Sequence, residues 1–326
     1  MLRLTTFALC VALASALPAQ TASAPAVNDL SRHDFLYAGE SHDRRIFLVR
    51  GGKVVWSFDE PDGKGEISDA VMLSNGNILF AHQFAVEEIT PEKKVIWRYD
   101  PPAGHEVHTA VPIGLDRVLY IQNGDPALLR VVNIRTNAVE KELTLATKMP
   151  PSTHGQVRHA RLTPQGTLLV AHMDLNKVVE YDSNGKELWS FPGKGVWGVT
   201  PLENGNMLIT DSVGVREVTR RGDVVWNWLK TDAPGVKFDN LQQAWRLPNG
   251  NTVIDNWGNE WNAASGKLGA ETLQAIEVTP DKKVVWVMKA WGQDGLPSLG
   301  PATTLQFLDG PLANAKPEDV HFGDIR

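Results

Sequence analysis

The sequence predicts an all-β fold: a six-bladed β-propeller of four-stranded blades whose closing blade is shared between the N- and C-terminal segments. Three observations predict it. A strand phrase containing tryptophan recurs along the chain, hairpins separate its copies, and a half-repeat missing at the start appears near the other end. Closing the ring removes the exposed edges that an open sheet would leave.

The recurring phrase is a short turn followed by an alternating strand. It reads Gly-Lys-Glu-Leu-Trp-Ser-Phe at 185–191 and Gly-Lys-Val-Val-Trp-Ser-Phe at 52–58, and shorter copies end at Trp97, Trp226 and Trp286. Leu143 replaces the tryptophan once. Trp56 and Trp286 lie five intervals and 230 residues apart, or 46 residues per repeat. Four strands in roughly 45 residues are typical of a propeller blade, so we expect these tryptophans to pack between blades.

A hairpin precedes the tryptophan strand in each repeat. Glycine turns separate its two strands at 74–77, 164–166, 204–205 and 249–250, with a degenerate copy at 113–117. At the start of the chain, Phe35–Ala38 already matches the second strand of a blade. The missing first strand appears as Ala302–Phe307. An open β-solenoid or two sandwiches could use the same strands, but neither would need displaced half-repeats.

Composition and the N-terminal segment narrow the class of protein. The 326 residues carry a net charge of −6, which argues against non-specific nucleic-acid binding. Arg3, an apolar run at 7–17 and small residues up to Ala24 predict a cleavable signal peptide that contains the only cysteine, Cys10. We therefore expect a periplasmic or secreted protein with no membrane span. The expected divisions are a signal peptide and short linker (1–24), a propeller (25–310) and a C-terminal tail (311–326).

The two faces of the predicted propeller differ. With strands A to D numbered outward from the channel, the A-to-B and C-to-D turns share one face, the turn face, and are short. The D-to-A and B-to-C connections share the other, the mouth face, and are long, which favours binding there. The mouth face carries the insertion Trp257 to Thr272, a predicted lid, and seven of nine histidines: His42, His82, His105, His108, His154, His159 and His172. The other two, His33 and His321, are expected at the surface.

Polar residues form two rings around the predicted channel mouth. The B-strand ends align as Gly39, His82, Gln122, His172, Asp211 and Asn256; the A-strand starts supply Asp69, His108, Arg158, His159, Trp197, Gln242 and Thr303. We expect a pocket for a small, anionic ligand, because the donor fork of arginine suits sulfate, phosphate or carboxylate. Its predicted lining is His82, His108, Arg158, His159 and His172, with Asp211 and Gln242 opposite, and Trp257 and Trp261 are further ligand-contact candidates. Any one of these polar residues could instead be solvated or bonded to a neighbouring loop.

No strong linear catalytic motif appears in the sequence. It has no glycine-rich phosphate loop, nucleophile elbow or zinc-protease histidine pair. His105-Glu106-Val107-His108 is a weak metal-binding pattern, so the metal content stays open.

The segment 182–189 resembles the tryptophan docking motif of PQQ-like quinoprotein propellers, and the repeated Gly-Lys-Val-Val-Trp is similar to the blades of arylsulfotransferases, which are six-bladed and extracytoplasmic. The resemblance implies that His108 or His159 takes the sulfuryl group, Arg158 holds sulfate, and His82 and His172 assist. The chain lacks that family's separate N-terminal β-domain and cysteine pair.

The quinoprotein likeness does not extend to a cofactor site. The chain lacks vicinal cysteines and a convincing calcium–aspartate set, so PQQ is not expected and no cofactor is predicted. The alternative to an enzyme is a binding or scaffold propeller of the cell envelope, with a protein partner there. An enzyme predicts converging His, Arg and Asp side chains with perturbed pKa values, whereas a scaffold predicts an apolar patch or an open edge.

Overall fold

The computed structural model describes residues 29–40, 45–61, 65–258, 261–262, 267–268, 272–289 and 301–326. The predicted signal peptide and His42 lie outside these residues. Within them, no helix is long and apolar enough to cross a membrane. In these same residues the helical content is four short 3-10 helices, Leu30–Arg32, Thr153–Gly155, Lys230–Asp232 and Gly310–Asn314.

Six antiparallel four-stranded sheets confirm the predicted six-bladed propeller. Blade 1 contains β1 (Phe35–Gly39), β2 (Arg45–Arg50) and β3 (Lys53–Asp59); blade 2 contains β4 (Asp69–Met72), β5 (Ile78–Ala81), β6 (Val86–Ile89) and β7 (Val95–Tyr99); blade 3 contains β8 (Glu106–Ile113), β9 (Arg117–Asn123), β10 (Ala127–Asn133) and β11 (Ala138–Leu145). Blade 4 contains β12 (Val157–Leu162), β13 (Leu168–His172), β14 (Lys177–Tyr181) and β15 (Glu187–Pro192); blade 5 contains β16 (Gly198–Pro201), β17 (Met207–Thr210), β18 (Gly214–Val218) and β19 (Val224–Leu229). Blade 6 contains β20 (Asn240–Arg246), β21 (Thr252–Trp257), β24 (Leu273–Val278) and β25 (Val284–Lys289); β22 (Trp261–Asn262) and β23 (Lys267–Leu268) pair in its insertion, and β26 (Ala302–Phe307) is the innermost strand of blade 1.

The closing blade joins the two ends of the chain as predicted. β26 pairs antiparallel with β1 in a register that sets Phe35 opposite Phe307 and Tyr37 opposite Leu305. Ala38 and Thr303 are also linked, since the Thr303 hydroxyl donates to the Ala38 carbonyl at 3.1 Å. Hydrogen bonds between backbones therefore close the ring.

The core is divided among six apolar clusters, one at each interface between neighbouring blades. Most of the repeated tryptophans help hold these interfaces. The indoles of Trp56 and Trp226 donate to the carbonyls of Pro91 and Pro280, at 2.7 and 2.9 Å, in the C-to-D turn of the next blade. Blades 1 and 5 thus bind the next blade through a polar contact at the rim as well as through the apolar side chains inside.

The C-terminal tail packs on the turn face. The carbonyl of Glu318 accepts from the Gly114 amide at 2.8 Å, and the carbonyl of Gly166 accepts from the Gly323 amide at 3.0 Å. Phe322 is fully buried in the cluster between blades 3 and 4. Residues 311–326 therefore cross the A-to-B turns of blades 3 and 4 and belong to the folded unit.

The surface expectation for His33 is wrong. Its side chain is buried, with edge-on ring contacts to Trp286 and Phe307 at centroid distances of 5.3 and 5.2 Å. Nε2 lies 3.1 Å from Glu277 Oε2 and Nδ1 lies 2.9 Å from Asp309 Oδ2. His33 thus links the segment before β1 to blade 6 and to the end of β26. His321, the other histidine expected at the surface, is partly buried.

Candidate functional site: the channel mouth

β-Bulges shape the starts of several innermost strands, including those of blades 3, 4 and 6. The register shifts between Val107 and Ala110 in blade 3, between 157 and 160 in blade 4, and between 241 and 244 in blade 6. The residues inside these bulges are His108, Thr109, Arg158, His159, Gln242 and Gln243. A bulge turns side chains away from the ordinary alternation of a strand. The side chains of neighbouring polar residues at the channel mouth therefore point in different directions.

Arg158 is the centre of a group of polar side chains at the mouth. Its guanidinium is buried: Nη1 lies 3.0 Å from His108 Nδ1, Nη2 lies 2.7 Å from His154 Nε2, and Nη1 also donates to Glu66. The guanidinium carbon lies 4.6 Å from the centroid of the Trp197 ring. We call Glu40, Glu66, Glu106, His108, His154 and Arg158 the mouth cluster.

His108 and His154 share one carboxylate. His108 Nε2 and His154 Nδ1 lie 2.8 and 2.9 Å from the same oxygen of Glu106. Burial raises the pKa of Glu106, but the bonds from His108 and His154 outweigh it and hold that pKa well below its usual range. A carboxylate only accepts, so both ring nitrogens that face Glu106 carry hydrogen. His154 Nε2 then accepts from Arg158, whereas His108 Nδ1 lies 3.0 Å from Arg158 Nη1 and 3.1 Å from Glu66 Oε1. The side chain of His154 is 55% exposed and reaches solvent, whereas His108 is buried.

Two carboxyl groups of the mouth cluster have pKa values displaced in opposite directions. Burial and the charge of Glu66 raise the pKa of Glu40, which accepts from the Trp257 indole at 2.9 Å. Burial also raises the pKa of Glu66, but the charge of Arg158 and the contact with His108 outweigh it and hold that pKa well below its usual range. The pair can therefore hold one proton on Glu40 beside an ionised Glu66.

A second polar network crosses the channel below the mouth cluster. Arg161 binds Asp69 through two contacts of 2.8 Å and donates to Gln243 at 2.7 Å, and Gln243 donates to Thr304 at 3.2 Å. The Thr109 hydroxyl donates to Asp69 at 3.0 Å. These residues come from the innermost strands of five blades. The network therefore fixes the innermost strands relative to one another, and the buried charge of Asp69 is compensated.

His159, a predicted catalytic residue, lies beside this second network, and its Nδ1 has no hydrogen-bond partner among the described residues. Its Nδ1 lies 4.0 Å from Asp69 Oδ2, and burial lowers its pKa despite that carboxylate. Its neighbour Arg158 points to the mouth cluster instead. Both residues lie in the bulge of β12, which directs their side chains to different sides. The structure therefore separates two residues that are adjacent in the sequence.

The structure does not bring the B-strand ends into the mouth cluster. His172 Nε2 lies 3.0 Å from the Tyr181 hydroxyl, and Gln122 bonds to Tyr99 and Arg130 within blades 2 and 3. The remaining ends have other partners: His82 lies near Glu87, Asp211 contacts Arg216, and Asn256 bonds to the backbone of Leu273 and Asp239. Gln242 is buried at its A-strand start.

Sequence reasoning missed the acidic members of the mouth cluster. Glu40 directly follows the B-strand end of blade 1, and Glu66 lies in the D-to-A loop before Asp69. Glu106 was named only within the weak metal pattern 105–108. Of that pattern, Glu106 and His108 converge with His154, and the ring of His105 turns towards Gly124. A search for carboxylates on the same loops as the histidines would have identified Glu40 and Glu106, whereas the loop that carries Glu66 contains no histidine.

Trp257 places the start of the insertion at the mouth, through its bond to Glu40. Residues 259–260, 263–266 and 269–271, and the side chain of Trp261, are not among those that the structure describes. The lid therefore stays a prediction.

A cavity of about 970 Å³ lies on the other side of the Asp69–Arg161 network. It opens towards the turn face, and residues of the tail, including Pro311, Leu312 and Val320, form part of its wall. Four of its charged groups form two ion pairs, since Arg246 lies 2.8 Å from Glu217 and Arg161 binds Asp69, and Glu203 also lines it.

Comparisons with known proteins support the fold. No family model and no curated protein matches the sequence. Among solved structures, a protein of unknown function from Bacteroides caccae is 23% identical, with a TM-score of 0.70 over 84% of this chain and 98% of that chain. A streptogramin B lyase is 13% identical, with a TM-score of 0.54 over 83% of this chain and 87% of that chain.

A catalytically inactive histidine-to-alanine variant of virginiamycin B lyase from Staphylococcus aureus, solved with quinupristin, is also similar. It is 11% identical, with a TM-score of 0.53 over 79% of this chain and 85% of that chain. These likenesses establish a β-propeller. They do not specifically establish the PQQ-like or arylsulfotransferase relationship that the blade phrases suggested.

Proposed function

We propose that this propeller is an enzyme whose mouth cluster performs acid–base chemistry on a small, polar, sugar-like molecule. The observation that carries the proposal is the Glu40–Glu66 pair, held between the Trp257 indole and the Arg158 guanidinium. Cleavage of a glycosidic or ester bond needs one group to protonate the leaving oxygen and another to remove a proton. Glu40 would supply the proton, and Glu66 would accept one.

The histidines would support the same chemistry. Glu106 orients both imidazoles, and His154 reaches solvent where a ligand would arrive. The lyases of similar fold support a role for a histidine by analogy, because a histidine-to-alanine variant of one of them is catalytically inactive. Trp257, which is half-buried, offers a ring face on which a sugar-like ligand would stack.

The charges favour an uncharged ligand over an anionic one. Arg158, the residue expected to hold an anion, already contacts Glu66, His108 and His154. An anion would have to replace Glu66 at the guanidinium while lying beside Glu106. Sulfuryl transfer needs the same guanidinium for sulfate, so the geometry supports it less than acid–base cleavage.

The scaffold alternative has weaker support. Exposed aliphatic side chains lie on the outermost strands of five blades, at Val55, Ile96, Val139, Leu188 and Val225. They are distributed around the rim, and single exposed aliphatic residues are ordinary on protein surfaces. We retain the proposal of a periplasmic or secreted location, which is supported by the sequence of residues 1–24.

The test is a turnover and binding screen with chromogenic glycosides, neutral oligosaccharides and aryl sulfates. We expect activity on an uncharged substrate, a loss of roughly 10²–10⁴-fold in Glu40→Gln and Glu66→Gln, and little change in His172→Gln. His172 is the matched control because it ends a B strand outside the cluster. If the wild type neither binds nor cleaves any neutral compound, or if both glutamine variants match it, the proposal fails. Turnover of aryl sulfates alone would instead favour sulfuryl transfer.

A further inference from the structure

A separate buried group of metal-binding residues lies between blades 1 and 2. It consists of Glu60, directly after β3, His82, at the end of β5, and Glu87, in β6. One ligand atom from each lies within 4.8 Å of the other two, and all three residues are buried. We propose that this group binds one divalent first-row transition-metal ion such as Zn²⁺, which links blade 1 to blade 2.

The imidazole of His82 supplies the first argument. His82 is 1% exposed, and in the described part of the chain neither ring nitrogen has a hydrogen-bond partner. A buried polar atom without a partner costs about 1–3 kcal/mol, so such a group usually has a role. A nitrogen that faces two carboxyl side chains without bonding to them is suited to a metal ion.

The spacing supplies the second argument. His82 Nε2 lies 3.7 Å from Glu87 Oε1, which is too long for a hydrogen bond. Two ligands bound at about 2.1 Å to one tetrahedral ion lie roughly 3.4 Å apart, so a small adjustment would seat both on zinc. Arg98 now contacts Glu87 but also binds the exposed Asp100 at 2.7 Å. Arg98 could therefore retain a partner if it moved away from the ion.

Glu106, His108 and His154 at the mouth form a contrasting group. Their ligand atoms also converge, but both histidine nitrogens bond to Glu106 at 2.8 and 2.9 Å, and Arg158 contacts both rings. A cation there would have to displace two protons and lie beside a guanidinium. The buried group has an imidazole without hydrogen bonds, whereas the mouth group does not.

The chemistry of the group selects the kind of metal. One imidazole nitrogen with carboxylate oxygens suits zinc or manganese, whereas calcium prefers six to eight oxygen ligands. The role would be structural, because the ligands come from two blades and are buried. The chain has one cysteine, Cys10, so no disulfide within the chain can make such a link.

Blade 4 contains a natural control for this group. His172 ends its B strand as His82 does. Two positions before each histidine, the B-strand residue pairs with a residue of the C strand, which is Val179 in blade 4 and Glu87 in blade 2. His172 Nε2 bonds to Tyr181 instead. The histidine at this position therefore lies beside carboxylates in blade 2 and beside a tyrosine hydroxyl in blade 4.

The test uses the purified full chain, stripped with a chelator and titrated calorimetrically with Zn²⁺, Mn²⁺ and Ca²⁺, with bound metal measured by elemental analysis. We expect one equivalent of zinc and a higher melting temperature when zinc is bound. His82→Ala and Glu87→Gln should lose both effects, whereas His172→Ala and Glu106→Gln should keep them.

Three results would overturn the proposal: no zinc binding by the wild type, zinc binding by His82→Ala equal to that of the wild type, or loss of zinc in Glu106→Gln but not in Glu87→Gln. The last result would place the ion at the mouth instead. Because the readouts are stoichiometry and melting temperature, the outcome does not depend on the enzymatic proposal.

Discussion

His33 Nε2 lies 3.1 Å from Glu277 Oε2, and this contact joins the segment before the first strand to blade 6. Burial opposes charge on the ring, but hydrogen bonds to Glu277 and Asp309 outweigh it and raise the pKa of His33. Burial also raises the pKa of Glu277, while bonds from His33, Arg32 and Asn251 outweigh it and hold that pKa well below its usual range. The contact is therefore a charged one at mildly acidic pH.

This contact predicts a pH dependence of stability. The raised pKa of His33 stabilises the fold fully below the unfolded-state value of about 6.5, and that contribution is lost as pH rises through the folded-state pKa. The lowered pKa of Glu277 stabilises the fold above about pH 4.3 and is lost as pH falls. Urea unfolding of wild type and His33→Gln should therefore differ more at about pH 5.5 than at about pH 8.5. His105→Gln is the control, and an equal difference at both pH values would contradict the prediction.

Asp255 should be a destabilising residue at neutral pH. It is fully buried, neither carboxylate oxygen has a hydrogen-bond partner among the described residues, and burial raises its pKa well above the usual range. As pH rises above about 3.9, the unfolded chain loses a proton that the folded chain keeps, so stability falls. Alanine occupies the same B-strand position in blades 1, 2 and 4, at Ala38, Ala81 and Ala171.

We therefore expect Asp255→Ala to raise the free energy of unfolding by about 1–3 kcal/mol at pH 7, with a smaller gain near pH 4. Denaturant titrations at the two pH values measure this. The neighbouring Asn256→Ala should destabilise instead, because it removes bonds of 2.8 and 2.9 Å to the backbone of Leu273 and Asp239. A less stable Asp255→Ala protein at pH 7 would show that the carboxylate has a favourable partner.

The tail should contribute to the stability of the whole domain. Phe322 is fully buried between blades 3 and 4, and truncation of a buried aromatic side chain costs about 3–5 kcal/mol. We expect a loss of this size in Phe322→Ala, measured by denaturant unfolding. Phe84→Ala, at a residue that is 41% exposed, should change stability little. Equal stability of Phe322→Ala and wild type would contradict docking of the tail.

Arg158 and Glu66 should be energetically coupled. Both are largely buried, and removing one member of a buried ion pair typically costs about 3–5 kcal/mol because the other charge loses its partner. We expect Arg158→Met to destabilise the protein and Arg158→Met/Glu66→Gln to recover part of that loss. A double-mutant cycle on the free energy of unfolding measures the coupling. Additive effects of the two substitutions would show that other residues hold Glu66 ionised.

The sequence predicted the blades well because their signals are local. Glycine turns and strand alternation set the register of each hairpin, and Trp56 and Trp226 lie where the repeat placed them. The displaced strand Ala302–Phe307 was identified by the same pattern. The turns and strands depend on residues close in the sequence, and the position of each blade follows from the 46-residue repeat.

The site was predicted less completely because it depends on backbone irregularity. Counting from the turns cannot detect the bulges that direct Arg158 to the mouth and His159 to Asp69. The partners Glu40 and Glu66 lie on loops of different blades, so no spacing in the sequence relates them. His33 was misjudged for a similar reason, since its carboxylate partners are 244 and 276 residues away.

The pairing of β1 with β26 also constrains how the protein is made. Ala38 and Thr303 are separated by 265 residues, so β1 emerges from the ribosome long before its inner partner exists. Until that partner is synthesised, the nascent chain carries five blades and an open sheet edge on which another chain could pair. Folding to a closed ring is therefore a late, long-range event, and the interval before it is the period of greatest risk of aggregation.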